Sequence, residues 1–357
     1  MSVNIARFYK REKIELNCEI ITPMFLGNAS QEAELRAAPF KGLLRYWWRV
    51  ANGAKYGDHT KLLDAENTFF GSPDEKTGGK SQVTVEVTAV SRLTSMKNNF
   101  SNPGQIDHPE CEKSQHKTNP LNYLAGMGLI HFKNGMLHSY FAAGEKFQLK
   151  VEASLQAIGE VQSALTLLGT FGAIGSRSRN GWGSFQWQQP TQSPQFALHN
   201  FASAFDRDYP HCLGKDSNGA LCWKTQMPNS TWELCMKDLA EIYVSLRAGN
   251  NNKQIHKLEV NQGNPPDRHL LGYPVTNHNV ALRNWGNQGR HGSALRLIVR
   301  KEADGHRGYI LHLPHLFSKE MWSSDTKGKE RQIQIWQQVH SSLDKLCQRQ
   351  EIKEERS

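Results

Sequence analysis

Apolar and polar positions alternate over residues 13–22, KIELNCEIIT, with Ile14, Leu16, Cys18 and Ile20 on one side and Glu15, Asn17 and Glu19 on the other. A period of two puts successive side chains on opposite faces of a pleated strand, so the segment predicts a half-buried first strand. The period then lengthens. In PFKGLLRYWWRVANGAKYG, residues Phe40, Leu43, Leu44, Trp47, Ala51 and Ala54 recur at helical spacing, with Pro39 at the expected start and Gly57 at the expected stop. HTKLLDAENTFF predicts a second, shorter helix ahead of the turn GSPDEKTGGK. Alternation returns in SQVTVEVTAVSRL through Val83, Val85, Val87 and Ala89, and in GEKFQLKVEASL around Phe147, Leu149 and Val151. GEVQSALTLLGTFGAI carries Val161, Ala164, Leu165 and Leu168 at helical spacing, and SFQWQQP reads as a closing strand.

The resulting order of strand, helix, strand, strand, helix, strand suits a four-stranded antiparallel sheet with its helices on one face, the ferredoxin-like or RRM-like plan. Residues 95–120 interrupt it. SMKNNFSNPGQIDHPECEKSQHKTNP has few apolar side chains and three prolines, so the segment is expected to be an insertion that stays mobile unless a partner orders it, or a tolerated surface loop. A Pro/Gln/Ser break, PTQSPQ at 190–195, separates residues 1–190 from a second domain over 191–357. There WELCMKDLAEIYVSLRAG predicts a helix, ALRLIVRKEADGHRGYILHLP two strands joined at Asp304-Gly305, and RQIQIWQQVHSSLDKLCQ a final helix. The early strands of this half are not evident. The expected class is therefore α+β, with two tandem ferredoxin-like domains of which the second is less regular.

A length of 357 residues accommodates two cores of ordinary size. Lys and Arg number 43 against 34 Asp and Glu, a net charge of +9, which favours polyanionic partners without by itself deciding for them. No stretch reaches the ~20 apolar residues of a membrane span, and the amino terminus lacks an apolar run of signal-peptide length, so a soluble, cytoplasmic protein is expected. The six cysteines form no Cys-x-x-Cys pair. His108, Cys111 and His116 are the nearest approach to a metal cluster, with an ordinary polar loop as the other reading.

The chemistry concentrates in GAIGSRSRNGWGSF, residues 172–185. Glycines allow positive φ and leave backbone N–H groups open, so a glycine-rich turn such as that around Gly175 and Gly181 can offer donors to phosphate oxygens. Arg177 and Arg179 add forked, permanently charged donors of the same preference. Trp182 and Phe185 can stack on bases or anchor the loop. The spacing fits neither Gly-x-x-x-x-Gly-Lys-Ser/Thr nor Gly-x-Gly-x-x-Gly, so a polymer backbone suits the loop better than a nucleoside triphosphate, and no cofactor is expected. On the first helix Lys41, Arg45 and Arg49 recur every fourth residue, a basic stripe largely opposite the apolar one and equally an ordinary solvated face.

PFKGLLRYWWR resembles the first-helix signature of RAMP proteins from CRISPR effector complexes, and GAIGSRSRNGWGSF resembles their glycine-rich loop. HLLGYP, RHGSALRLIV and the ELRAAPF that precedes the helix resemble motifs of the subgroup formed by the first RAMP subunits of type III-B (Cmr) complexes. The matching segments lie in order between residues 34 and 300. The resemblance implies paired ferredoxin-like domains and a non-catalytic subunit that holds the 3′ region of a guide RNA and helps capture complementary target RNA, beside other subunits of the complex. Carried onto this chain, it implies RNA contacts at Lys41, Arg45, Arg49, Arg177, Arg179, Arg290 and Arg296, with Arg36 a further candidate. Ala37 and Ala38 stand where the family often has prolines or other small residues, and the 95–120 insertion matches no motif.

Two other functions fit parts of the pattern. A metal-independent RAMP endoribonuclease that processes CRISPR RNA would need a histidine to take a proton from a ribose 2′-hydroxyl, and His59, His131 and His138 are candidates whose geometry decides. A scaffold whose basic face meets acidic partner proteins would need no RNA at all.

Overall fold

The computed structural model describes residues 10–73, 79–131, 133–187, 195–259, 266–273, 290–317 and 328–354. Contacts group Met1–Lys97, His138–Ser176 and Gly183–Pro194 into one unit, and Asn98–Leu137, Arg177–Trp182 and Gln195–Ser357 into another. Most of the expected break at 190–195 lies outside the described residues.

In the first unit, β1 (Arg11–Ile20), α1 (Ala37–Asn52), α2 (His59–Phe70), β2 (Val83–Ala89), β3 (Lys146–Ser154), α3 (Ile158–Phe171) and β4 (Phe185–Trp187) build one sheet in the order β4-β1-β3-β2. Every pairing in it is antiparallel, with Leu16 opposite Leu149 and Val85 opposite Val151. The alternation fixes which face is buried: Phe147, Leu149, Val151 and Ala153 all point to the core side of β3. Phe40 of α1 closes on Phe147 and Phe185 at 5.3 and 5.7 Å between ring centroids, joining helix to sheet.

Helix α1 begins two residues before Pro39, which the first turn tolerates because its N–H groups lack helical acceptors in any case. Trp48 lies off the expected apolar stripe yet is fully buried, because Phe69 and Phe70 of α2 cover that flank and its indole N–H donates to Glu160. Helix α2 starts where Asp58 accepts from the Lys61 amide at 2.9 Å, an N-cap.

The second unit repeats the plan. β5 (Cys222–Lys224), α4 (Trp232–Ala248), β6 (Leu295–Glu302), β7 (Gly305–His312), α5 (Gly328–Leu346) and β8 (Gln348–Arg349) give the sheet order β6-β7-β5-β8, again antiparallel throughout. Counted from the first strand of each unit, both sheets run fourth, first, third, second. Trp223 and Trp336 fill this core, with the His312 ring stacked on Trp336 at 3.9 Å.

The 95–120 segment, expected to be an insertion ordered only by a partner or a surface loop, makes contacts within the chain. Ile106 is buried, Ile106–Asp107 pairs with Lys117–Thr118, and Glu110 bridges Arg268 and Lys257 at 2.7 Å each. Hydrogen bonding from Arg268 holds the Glu110 carboxyl down at about 2.

Candidate nucleic-acid interface

The glycine-rich loop follows α3 and leads into β4, and its two arms belong to the first unit. Gly183 sits at φ 64°, and a Cβ there would fall 1.8 Å from the Ile174 carbonyl oxygen. Gly175 sits at φ 92°, where a Cβ would fall 2.4 Å from the carbonyl oxygen of Phe25. Both positions need glycine because the chain's own backbone occupies the space. The amides follow suit: Ile174 donates to Gly183, Ser176 to Phe25 and Gly183 to Pro23, each at 2.9 Å. The expected row of open N–H donors is therefore largely engaged in folding the loop.

The tip, residues 177–182, belongs to the second unit. Its Asn180 amide donates to the Arg177 carbonyl at 2.8 Å, and the Asn180 side chain donates to the Leu124 carbonyl at 2.9 Å. The Leu297 amide of β6 donates to the Arg179 carbonyl at 2.9 Å, which ties the tip to the RHGSALRLIV segment. Gly181 is buried, with Met236 sulfur where its Cβ would stand. Trp182 is fully buried, stacked on Phe100 at 5.0 Å with Trp232 edge-on at 5.9 Å, so it anchors the tip and is closed to bases. Phe185 is likewise buried in β4.

What the tip exposes is arginine. Arg177 is exposed and held at φ 58°, left-handed backbone that a non-glycine residue adopts at a cost. Its guanidinium lies beside Gly126 and Gly128, and among the described residues it meets no acceptor within hydrogen-bond reach. Arg179, half-buried, donates to the Ser293 carbonyl at 3.3 Å. Arg290 is exposed at the head of the same segment. His291 exchanges backbone hydrogen bonds with Tyr273 at 2.8 and 3.1 Å, so HLLGYP, RHGSALRLIV and the loop tip meet in one place.

Two histidines beside Arg179 were not foreseen. Burial pushes the His291 imidazole down to about 3, helped by His315 and Arg179, and burial pushes His315 down to about 4. Both are neutral near pH 7, which leaves the local positive charge to the arginines. Arg296, one of the residues implied by the resemblance, is only 5% exposed on β6 and faces the interior. A continuous buried strand hides this, because an arginine among apolar neighbours reads the same whether it points in or out.

The stripe on α1 is also not the solvated face its spacing suggests. Glu66 of α2 receives Arg45 at 2.6 Å and Arg49 at 2.8 Å, and its side chain is 4% exposed. Lys41 donates to the Ser81 hydroxyl at 2.8 Å, and burial with the nearby Arg45 charge lowers its pKa. Arg36 is exposed and donates to the Gly27 carbonyl at 2.6 Å.

The metal candidate does not assemble. His116 Nδ1 hydrogen-bonds the Pro109 carbonyl, His108 Nδ1 accepts from the Glu110 amide, and among the described residues no three His, Cys, Asp or Glu side chains gather as a metal site. His131 Nδ1 accepts from the Lys133 and Asn134 amides at 3.2 and 3.3 Å, while His59 is exposed at the start of α2. Among the described residues no helix is long and apolar enough to cross a membrane.

Residues 17–186, which hold the first sheet and the glycine-rich basic loop before its closing strand, match the model of the RAMP superfamily. The chain also resembles the CRISPR system Cmr1 subunits of Pyrococcus furiosus. It is 28% identical to Cmr subunit Cmr1-1 over 155 residues, 43% of this chain and 40% of that protein. It is 22% identical to Cmr subunit Cmr1-2 over 183 residues, 48% of this chain and 92% of that protein. The match thus spans less than half the length of the first relative. A chain from the type III-B Cmr-beta complex bound to cognate target RNA shares the fold, with a TM-score of 0.50 at 11% identity over 94% of this chain and 100% of that chain.

Proposed function

We propose that this chain is a non-catalytic, RNA-binding subunit of a CRISPR type III-B effector complex, holding the 3′ region of the guide RNA and helping to capture complementary target RNA. The observation that carries the reading is Arg177: exposed, pinned in a strained backbone conformation and without an acceptor among the described residues, beside Arg179 and the exposed Arg290. Strain maintained at an unpaired cation is what a phosphate contact would use. The similarity to Cmr1 subunits supplies the kind of complex, and the excess of basic residues suits a polyanion. The cytoplasm is the compartment this role requires, and the other subunits of such a complex are its protein partners. Arg177, Arg179 and Arg290 are the principal phosphate contacts in this reading. Arg36 and the partly exposed Arg45 and Arg49 are secondary, Lys41 and Arg296 are structural, and Gly175 and Gly181 shape the loop.

The test is binding of the full chain to guide-length single-stranded RNA across a salt series, for wild type and for Arg177→Ala/Arg179→Ala. Each lost phosphate contact removes about one from the slope of log affinity against log salt, so the double variant should bind more weakly with a slope flatter by about two. An unchanged slope would remove the loop from the interface.

A further inference from the structure

A cavity of about 170 Å³ opens in the first unit, lined by Phe25, Asn28, Gln31, His138, Ser139 and Ser176 among others. The turn that forms its wall is built with care. Asn28 Oδ1 accepts from the Ser30 and Glu32 amides at 2.9 and 3.1 Å, which directs its amide nitrogen away from the turn. Gln31 sits at φ 63°, and its carbonyl accepts from the Ser139 amide at 3.3 Å. Glu32 in turn accepts a hydrogen bond from the Ser139 hydroxyl at 2.5 Å, so that carboxylate is already engaged. Phe25 forms an apolar base, 2% exposed and tilted against Tyr140 at 5.4 Å.

What remains unengaged is a set of side-chain donors and acceptors. Among the described residues no partner meets the Asn28 amide nitrogen, the Gln31 side-chain amide, the His138 ring or the Ser176 hydroxyl. No lysine or arginine lines the cavity, so it is not built for phosphate. Side-chain amides pair with base edges that present a donor beside an acceptor, and single-stranded RNA is read through bases turned out of the stack. Ser176 in its lining is the residue before Arg177, so the cavity and the loop tip are neighbours along the chain.

We infer that this cavity is a recognition site for one unstacked nucleobase of single-stranded RNA, read by Gln31, His138 and Asn28. The inference rests on the RNA-holding role proposed above and adds base preference to it. Adenine is the expected occupant, because it sets a ring acceptor beside an exocyclic donor on both its Watson–Crick and its Hoogsteen edge, whereas cytosine does so on one edge only.

The experiment measures binding of the full chain to twelve-nucleotide oligo(A), oligo(C) and oligo(U), for wild type, Gln31→Gly and His138→Ala, with AMP as competitor. Gln31→Gly removes the amide while favouring the existing positive φ, so the turn is kept. Wild type should prefer oligo(A) by roughly ten-fold, and a preference for oligo(C) or oligo(U) would overturn the adenine site. Both variants should compress that preference to within about two-fold and leave the salt slope unchanged, because phosphate contacts are untouched. AMP should compete with the preferred oligomer. Equal binding of all three by wild type, or a preference that survives both variants, would overturn the pocket and leave the RNA-holding role standing. AMP that binds without displacing RNA would make the cavity a free-nucleotide site and overturn the inference in the same way. Failure to bind any oligomer would overturn both.

Discussion

The Arg179 guanidinium occupies the space that a side chain at residue 292 would fill: a Cβ on Gly292 would fall 1.4 Å from Nη1. Glycine in RHGSALRLIV therefore makes room for arginine in the loop tip, and the two segments work as one device. Gly292→Ala should push the guanidinium off the Ser293 carbonyl. Because the end of a long side chain can move, folding should hardly change, within about 0.5 kcal/mol. RNA affinity should fall and its salt slope should flatten by about one, matching Arg179→Ala. Comparing the two variants in one salt series checks the coupling.

Glu66 ties the basic stripe of α1 to α2 from a nearly buried position. Glu66→Gln leaves Arg45 and Arg49 with weaker partners. Breaking a fully buried pair costs about 3–5 kcal/mol, and these arginines are about a third exposed, so about 2 kcal/mol is expected. The urea midpoint should drop while the salt slope of RNA binding holds. A slope that steepens would instead mean that the released arginines reach the RNA.

Acid should weaken the second unit through His291 and His315. In the unfolded chain both titrate near 6.5, whereas in the folded chain burial holds them at about 3 and about 4. Between those limits the unfolded chain binds the extra protons. The stabilisation is complete above about pH 6.5 and is lost as pH falls towards 4, by roughly 1.4 kcal/mol per pH unit for each histidine. Arg179 opposes protonation of both rings, His211 adds to it at His315, and Asp208 works the other way. Unfolding followed from pH 7.5 to 5 should show the loss, and His291→Gln should make it shallower.

Gly183→Ala tests the arm of the loop. The methyl group would meet a main-chain oxygen that has no rotamer by which to move aside, at a φ that alanine disfavours. A loss of about 3 kcal/mol is expected, read as a lower melting temperature. Any fall in RNA binding should track the unfolded fraction.

The long elements were legible because each carries several repeats of its own period: β1, β3 and α4 lie within two residues of where the pattern places them, while α1 starts two residues early and ends at Asn52, five short of Gly57. The second sheet was harder to read because β5 has three residues and β8 two, too short for a period to register. The loop was legible as a place and misread in part as chemistry. A glycine required by the Phe25 or Ile174 carbonyl has the same letter as one required by a ligand, so only the packed structure separates them. The stripe on α1 failed for a related reason. Glu66 is 17 residues beyond Arg49, and nothing local says that a second helix will bring it across. His315, which lies near Arg179, carries no motif of its own.

The packing of Trp182 against Phe100 and the edge of Trp232 has a consequence for synthesis of the chain. Trp232 leaves the ribosome fifty residues after Trp182, roughly 3–10 s later at ordinary elongation rates. Leu297, which secures Arg179, follows later still. Until then the first sheet has all its strands while Trp182 has Phe100 on one side and its Trp232 side uncovered. The nascent chain must carry that apolar surface exposed, which makes this interval the one in which a holding chaperone, or slower translation, would most affect the yield of folded protein.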